Sequence, residues 1–423
     1  MAEYLPGEIA LTDISAGNVI RFNYKGTTFT GTVISVMNGA VNLKLSNGYN
    51  LSVPPDSMAD IEILGETHSV PEEQIREASK GPVNVGILAT GGTIASRVDY
   101  VTGAVKPVLN PAFLEDSVPN ISEFTLDLDL MEPVLSENLQ PDDWIAIARR
   151  AKRMLDKNGR CIILHGTDTM SYTASALSFM FSELAGPVVM VGSQRSSDRP
   201  SSDAFLNLEA ALEFCREEIG EVGVAMHGTI QENEVALHRG VRVRKMHTSR
   251  RDAFRTIGSS PLATYQGGKV TFSQDPYKPS DKSALIDKLD RNVSLVYFHP
   301  ALGENDLGLL LENRRAAVIM GTGLGHVASR FYPVLRKSIR DGTRVIMTSQ
   351  CIGGSVNMNV YSTGRELLSI GVIPAGSMLP EVAMVKSMHI LANYDDEHFT
   401  EIFMKNLRGE YLQRESMAGV SVP

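Results

Sequence analysis

The first seventy residues carry short runs of β-branched and aromatic residues, separated by turn residues. The runs are NVIRFNYKG, FTGTVISVMN, AVNLKLSNG and YNLSVPP, and Asn-Gly pairs stand at 38–39 and 47–48. Such runs predict β-strands, and Asn-Gly pairs are typical of tight hairpin turns. Four or five short strands joined in this way favour a small SH3-like β-barrel over residues 1–70. The polar run at 71–82 is predicted to be a linker.

From residue 83 the pattern changes to apolar strands that end in glycine turns. NVGILATGG, CIILHGTDT, PVVMVGSQ and VGVAMHGTI share this form. Between them, DDWIAIARRAKRML and DAFLNLEAALEFCREEI have apolar residues at helical spacing. Alternating strands and helices predict a doubly wound, mostly parallel sheet with helices on both faces. This first α/β domain is predicted to span residues 83–275, and ligands of such sheets bind at the carboxyl ends of the strands.

A second change falls in a polar, proline-bearing stretch that is predicted to be a linker over residues 276–289. Beyond it, VSLVYFHP, AAVIMGTGLGHV and RVIMTSQC repeat the form of a strand followed by a loop. They predict a second, smaller α/β domain over residues 290–423. Its GTGLG run at 321–325 suggests a dinucleotide-binding loop, but His326 occupies the position of the last glycine in that motif. A tight turn at a contact between subunits is the better interpretation.

Composition narrows the class of protein. The chain has 423 residues, 43% of them hydrophobic, and a formal net charge of -9. An acidic chain is a poor candidate for binding nucleic acid by itself, because phosphate binding requires a basic surface. The three cysteines are widely spaced, which argues against a disulfide framework and favours a cytoplasmic location. We find no metal-binding spacing, signal peptide or membrane span, and therefore expect no metal and no membrane association.

The first candidate site is the segment TGGTI at 90–94, directly after a predicted strand. Two glycines let the backbone turn sharply and approach a ligand. Thr93 would then present its hydroxyl beside backbone N–H groups, which suits a nucleophile next to an oxyanion-binding turn. A plain turn or an anion site without chemistry remains possible from this segment alone.

The second candidate site is the segment HGTDT at 165–169, which also follows a strand. It sets the Thr167 hydroxyl beside the Asp168 carboxylate, so that one could relay a proton and the other hold an ammonium group. Considered alone, the segment could equally be a helix cap.

Together, the two segments resemble the double signature of the L-asparaginase family, and the resemblance extends over residues 83–420. It implies an asparaginase-like core of two α/β domains and hydrolysis of glutamine or asparagine. In that family pattern Thr93 is the nucleophile and Tyr100, in SRVDYVTG, is its partner on a closing loop. Thr167 and Lys245 form a proton relay, and Asp168 holds the substrate α-ammonium group.

The same resemblance implies the rest of the binding site. Ser136, in LSENLQP, matches the serine that holds the α-carboxylate, and Gly92 and Ser193 are also expected to contact substrate. The run SSDAFLNL after Ser193 matches the family's SxDxxxNL helix start. A neutral Lys245 amine requires burial or nearby positive charge to lower its pKa. Arg242 and Arg244 supply such charge in the sequence, although their positions in space are not determined by it.

Two features depart from a simple asparaginase. About eighty residues precede the TGGT strand, whereas bacterial asparaginases start almost at it. An SH3-like barrel before this core resembles the amidase subunits of archaeal glutamyl-tRNA(Gln) amidotransferases. In addition, Ser355, Asn357 and Asn359 stand where bacterial relatives contribute an acidic residue from a neighbouring subunit, so the third member of the Thr93–Tyr100 triad is undetermined.

The amidotransferase resemblance implies partners. A homodimer of this chain would lie at the centre of a heterotetramer with the amidotransferase's E subunit, which would bind ATP and Mg²⁺ and most of the tRNA. No cofactor is expected in this chain. The alternative is a free-standing cytoplasmic asparaginase with an added N-terminal domain, and a binding protein with a vestigial site is a third, weaker hypothesis.

Overall fold

The computed structural model describes residues 14–37, 40–45, 50–66, 81–92, 96–98, 105–107, 118–195 and 201–413. Several predicted features lie outside these ranges: Thr93 and Tyr100, both Asn-Gly pairs and most of the predicted linker at 71–82. The remaining predicted site residues are all described.

The N-terminal region is an antiparallel sheet of five strands. They are β1 (Asn18–Tyr24), β2 (Thr27–Met37), β3 (Ala40–Leu45), β4 (Asn50–Val53) and β5 (Ala59–Glu66). The order is β4-β3-β2-β1-β5, and Ile20, Phe22, Val33 and Leu43 form the centre of its small core.

The prediction of strands is therefore confirmed, but the prediction of a closed SH3-like barrel is not, because this sheet is open. β5 pairs with β1, and among the described residues the edge strands β4 and β5 do not pair with each other. Closure requires the two edge strands to meet, and β4 is only four residues long.

The first α/β domain contains an eight-stranded sheet of order β18-β17-β14-β13-β12-β10-β6-β9. Its strands are β6 (Val83–Ala89), β9 (Phe124–Leu130), β10 (Cys161–Leu164), β12 (Val188–Val191), β13 (Val222–His227), β14 (Glu234–Arg239), β17 (Ala263–Gln266) and β18 (Lys269–Phe272). Its helices are α1 (Pro141–Asn158), α2 (Met170–Met180) and α3 (Ala204–Phe214).

The central strands are apolar throughout because both faces of the sheet are covered. Leu88 and Ile163 point into a core with α1 and α2, whereas Ile87 and Ile162 point into a second core with α3. This alternation follows from the two-residue period of a strand. The sheet is thus doubly wound, as predicted.

The prediction of a mostly parallel sheet holds for five of its eight strands, and the other three make the sheet mixed. Strands β9, β6, β10, β12 and β13 are parallel, but β14 returns antiparallel to β13, and β17 and β18 follow in the same manner. The reason is the short connection from His227 to Glu234, which is too short for the helical crossover that parallel neighbours require.

The second α/β domain is a parallel sheet of order β20-β21-β22-β23 with helices on both faces. Its strands are β20 (Val293–Tyr297), β21 (Ala316–Gly321), β22 (Arg344–Ser349) and β23 (Ile373–Pro374). Its helices are α4 (Glu304–Leu311), α5 (Tyr332–Arg340), α6 (Ser362–Ser369), α7 (Pro380–Asn393) and α8 (Phe399–Met404). Helix α7 packs on α2 of the first domain, so the two domains share one core.

Three strand pairs lie outside these sheets. They are β7 (Ser96–Val98) with β8 (Val105–Pro107), β11 (Phe181–Glu183) with β19 (Ala284–Leu285), and β15 (Val243–Lys245) with β16 (Phe254–Thr256). In the sequence, β7 and β8 stand on either side of Tyr100, which is outside the described residues, and β15 ends on Lys245. Within the described ranges, no helix is long and apolar enough to span a membrane.

Candidate active site

The turn after β6 brings the TGGT segment against the neighbouring strand end. The Thr90 N–H and hydroxyl both donate to the Leu164 carbonyl oxygen, each at 3.0 Å. Gly91 and Gly92 have φ values of +119° and +88°, a region that favours glycine. A Cβ atom on Gly92 would lie 2.7 Å from the Gly166 nitrogen. Glycine is therefore required where the chain enters Thr93, which itself lies outside the described residues.

The HGTDT turn is held in place by the side chain of its first residue, His165, which is fully buried. Its Nδ1 atom lies 2.6 Å from the Gly166 carbonyl oxygen, and its Nε2 atom lies 2.9 Å from the Thr173 hydroxyl of α2. Because a carbonyl can only accept, Nδ1 carries the proton and Nε2 accepts from Thr173. Burial lowers the pKa of His165 to about 4, so the ring is neutral near pH 7.

The Lys245 side chain also contacts the HGTDT turn. Its Nζ atom lies 2.9 Å from the Thr167 hydroxyl oxygen and 2.7 Å from Asp168 Oδ1. The Lys245 side chain is 13% exposed, whereas that of Asp168 is 67% exposed. The amine and the hydroxyl are within the range needed for proton transfer. The structure thus brings together three of the predicted site residues, from two segments that are far apart in the sequence.

The two arginines before Lys245 do not point toward it. The Arg242 guanidinium is buried and donates to the carbonyl oxygens of Ile257, Ser377 and Glu410. Arg244 forms an ion pair with Glu381 of α7, with Nε 3.7 Å from Oε1. Their partners answer a question that the sequence left open, since both guanidinium groups are engaged by residues other than those of the HGTDT turn. Successive side chains of a strand point to opposite faces, which explains the arrangement.

Ser136 lies beside the same turn. It starts a short 3-10 helix, Ser136–Asn138, and is 4% exposed. A Cβ atom on Gly166 would lie 2.8 Å from Ser136 Cβ and 2.9 Å from its Oγ. The Thr169 hydroxyl also donates to the Ser136 carbonyl oxygen at 2.7 Å. Gly92, Ser136 and the HGTDT turn therefore converge at Gly166.

The third strand end, which carries Ser193, packs against the other side of the turn. Ser193 is 2% exposed, and a Cβ atom on the preceding Gly192 would lie 3.0 Å from Thr167 Cγ2. Asp203 of the SxDxxxNL run accepts the N–H groups of Gln194 and Arg195 at 2.9 Å each. The motif thus serves to hold the loop after Ser193.

Behind Asp203, two further buried residues continue the network. Asn207 donates to the Gly192 carbonyl at 3.0 Å and to Asp203, and its Oδ1 lies 2.6 Å from His227 Nδ1. Burial lowers the pKa of His227, against the opposing effect of Asp203. Sequence reasoning did not single out His165, Thr173 or His227. The available signal was a histidine next to an apolar strand at both 165 and 227.

The GTGLG run forms a turn with hydrogen bonds inside it and to other segments: the Gln350 and Asn357 N–H groups donate to the Gly321 and Leu324 carbonyl oxygens, at 2.8 and 3.0 Å. Thr322 pairs with His326 across it, and the Gly325 N–H donates to the Thr322 carbonyl oxygen at 3.0 Å. The loop does not lead directly into an α-helix, because a 3-10 helix, Ser329–Phe331, comes before α5 at Tyr332. Among the described residues, the one group with metal-binding geometry is an exposed cluster near α8, Asp395, Glu397 and His398, which shares nothing with the site.

The chain resembles known proteins over most of its length. Residues 84–278 match the family model "Asparaginase, N-terminal", and residues 292–403 match "Glutaminase/Asparaginase C-terminal domain". The L-asparaginase of Thermococcus kodakarensis superposes with a TM-score of 0.72 at 30% identity, covering 78% of this chain and 99% of that one. L-asparaginase I of Vibrio cholerae gives 0.68 with the same identity and coverage. Fold and site thus define an asparaginase-type amidohydrolase.

Two relatives indicate which group of asparaginase-type amidohydrolases this chain resembles. The glutamyl-tRNA(Gln) amidotransferase D subunit of Thermoplasma volcanium is 49% identical over 399 residues, which cover 93% of this chain and 97% of the relative. That of Thermoplasma acidophilum is 47% identical over 395 residues, with coverage of 93% and 96%. The chain belongs to the family of glutamyl-tRNA(Gln) amidotransferase D subunits.

Proposed function

We propose that this chain hydrolyses the side-chain amide of glutamine or asparagine through Thr93 and supplies the ammonia to a partner that converts Glu-tRNA(Gln) to Gln-tRNA(Gln). The observation that carries the proposal is the 2.9 Å contact between Lys245 Nζ and the Thr167 hydroxyl. That contact lies on a turn in which Gly166 abuts Gly92, the residue before Thr93.

In the first step, the Thr93 hydroxyl oxygen attacks the carboxamide carbon and loses its proton. The C–N bond then breaks, the leaving nitrogen takes a proton and departs as ammonia, and an ester to Thr93 remains. A threonine hydroxyl is a weak nucleophile at neutral pH and requires a partner that accepts its proton. Tyr100 is proposed for that role from the family pattern.

In the second step, water attacks the ester carbon, the bond to Thr93 Oγ breaks and Thr93 regains its proton. Aspartate or glutamate is released. Thr167 and Lys245 are proposed to relay the protons that these steps move, since their heavy atoms are in hydrogen-bond contact. Lys245 also bonds to Asp168, which holds the amine at the turn.

The substrate's amino-acid end is proposed to bind around Gly166. Asp168 receives the α-ammonium group, since most of its side chain is exposed while Lys245 holds one oxygen. Ser136 receives the α-carboxylate, and Gly92 and Ser193 line the rest of the proposed substrate-binding site. Ser136 and the turn are in close contact, so both ends of an amino acid can be held together.

The partner is proposed to be the E subunit of the amidotransferase, which would bind ATP, Mg²⁺ and the tRNA, in a cytoplasmic heterotetramer built on a homodimer of this chain. The similarity to amidotransferase D subunits supports such an assembly, and the net charge of -9 supports leaving the tRNA to the partner. The open N-terminal sheet is proposed as a docking module, since within the described ranges β4 and β5 each pair on one side only, and an edge strand can accept a further strand.

The nucleophile and the relay are tested by ammonia release from glutamine and asparagine, with partner and charged tRNA present. We expect Thr93→Ala and Lys245→Met each to lower the rate on the order of 1000-fold or more, because such residues act as a unit. Lys278→Met is the matched control, since Lys278 is a surface lysine and should tolerate the change. A Thr93→Ala enzyme that keeps a tenth of the rate would exclude Thr93 as nucleophile.

A free-standing asparaginase is the second candidate, favoured by the match to 99% of two L-asparaginase chains. The two candidate functions differ in whether hydrolysis depends on a partner subunit and charged tRNA. We expect weak hydrolysis by the isolated chain and a strong rise with the E subunit and glutamyl-tRNA(Gln). Full turnover of asparagine without any partner would favour the second candidate.

A further inference from the structure

The short strand β15 and the residue before it, Arg242, direct their polar side chains to two different parts of the molecule. Lys245 points from one face to Thr167 and Asp168, whereas Arg242 and Arg244 point to the second domain. β15 pairs with β16 in a two-stranded sheet that is separate from the eight-stranded one. A two-stranded sheet is marginally stable by itself, so the position of β15 depends on what it packs against.

Arg242 provides the first anchor. It is 1% exposed and donates to the carbonyl oxygens of Ser377, at 2.7 Å, and Glu410, at 3.1 Å. Glu410 is itself fixed by a fully buried ion pair with Lys386 of α7, at 2.5 Å. The start of β15 is thus tied to a rigid part of the second domain.

Arg244 provides the second anchor, through Glu381 in the first turn of α7. The Glu381 side chain is 5% exposed, and burial raises its pKa while Arg244 opposes the rise. Helix α7 also packs on α2, where burial and then the Glu381 charge raise the pKa of the Tyr172 phenol. Helix α2 begins directly after the HGTDT turn, so the Thr167 side and the Lys245 side of the proposed relay both contact α7.

We propose that Arg244 and Glu381, together with Arg242, are positioning residues that hold Lys245 against Thr167 from the second domain. The inference rests on the proposed function of Lys245. A lysine side chain has a long flexible stem, and its Nζ reaches Thr167 only if the backbone of β15 is held in place. Misplacement of a reacting group by about 1 Å can lower a rate on the order of 100-fold.

The test compares Arg244→Gln and Glu381→Gln with a matched control, Arg291→Gln. Arg291 forms an ion pair with Asp142 between the same two domains, and both side chains are exposed at the surface. We expect the first two variants to lower kcat on the order of 10- to 100-fold with KM changed less than about twofold, and the double variant to be no worse than either one. Arg244→Lys should restore part of kcat, and the control should match wild type.

A second measurement is independent of activity. Acetylation of Lys245 by acetic anhydride, followed by mass spectrometry, reports how well its amine is held at Thr167. We expect the acetylation rate of Lys245 to rise several-fold in Arg244→Gln and Glu381→Gln and to stay unchanged in Arg291→Gln. Unchanged labelling and unchanged kcat in both variants would overturn the proposal. If the two variants show raised acetylation of Lys245 but the wild-type chain releases no ammonia, the positioning role stands and the proposed function is refuted.

Discussion

The two α/β domains each end a buried parallel strand in a glycine turn, yet the turns differ in what they contact. The HGTDT turn bonds through His165, Thr167 and Thr169 to three other parts of the chain. The GTGLG turn is held through its backbone instead: the carbonyl oxygens of Gly321, Gly323 and Leu324 accept from Gln350, Ser349 and Asn357. Strand-then-glycine patterns therefore identify turns, and the polar side chains that a turn presents to other segments distinguish a site from a connection.

The difference between the two turns is tested most strongly by adding one methyl group to each turn region. Gly92→Ala would place a Cβ 2.7 Å from the Gly166 backbone at a φ of +88°, so the turn before Thr93 must shift. We expect ammonia release to fall on the order of 100-fold. Gly323→Ala, at a φ of +51° with nothing within 4 Å, is the matched control. It should cost about 1 kcal/mol of stability and leave activity unchanged.

A second prediction concerns acid stability. The folded chain holds His165 neutral with a pKa of about 4, below its ordinary value near 6.5. Between these values the unfolded chain binds a proton that the folded chain does not, so stability falls as pH falls. His165 should contribute about 2 kcal/mol of destabilisation at pH 5 relative to pH 7.

This is measured as the change in free energy of unfolding between pH 7 and pH 5. His165→Asn should be less stable at pH 7, because it loses packing and hydrogen bonds, but its loss on acidification should be smaller than that of wild type. His238 and His389, whose pKa values burial lowers to about 3 and about 4, should keep the rest of the acid sensitivity. Equal pH dependence in both proteins would show that His165 does not contribute.

The smallest expected effect compares one hydrogen bond in each turn region. Thr173→Val removes the hydroxyl that donates to His165, in a fully buried setting, and should cost about 1 kcal/mol in chemical denaturation. Thr322→Val removes an exposed contact to the His326 carbonyl at 3.2 Å and should cost less than about 0.5 kcal/mol. Equal losses would mean that the two turns are held equally well.

Much of the fold could be predicted because the strands are apolar and end in turn residues. The convergence of the strand ends at Gly166 also followed, since parallel strands share a carboxyl edge. The open N-terminal sheet could not be predicted, because closure depends on whether β4 and β5 meet, which no local pattern determines. The direction of Arg244 was missed for a similar reason: its partner Glu381 lies far along the chain.

The shared core of the two domains also bears on how the chain is made. Leu88 and Ile163 of the first domain share that core with Val382 and Met388 of α7. A ribosome adds about 5–20 residues per second, so residues 290–393, through the end of α7, emerge over roughly 5 to 21 s after the first domain is complete. During that interval the surface that α7 will cover is apolar and exposed. The nascent chain therefore requires protection from aggregation until its second domain arrives.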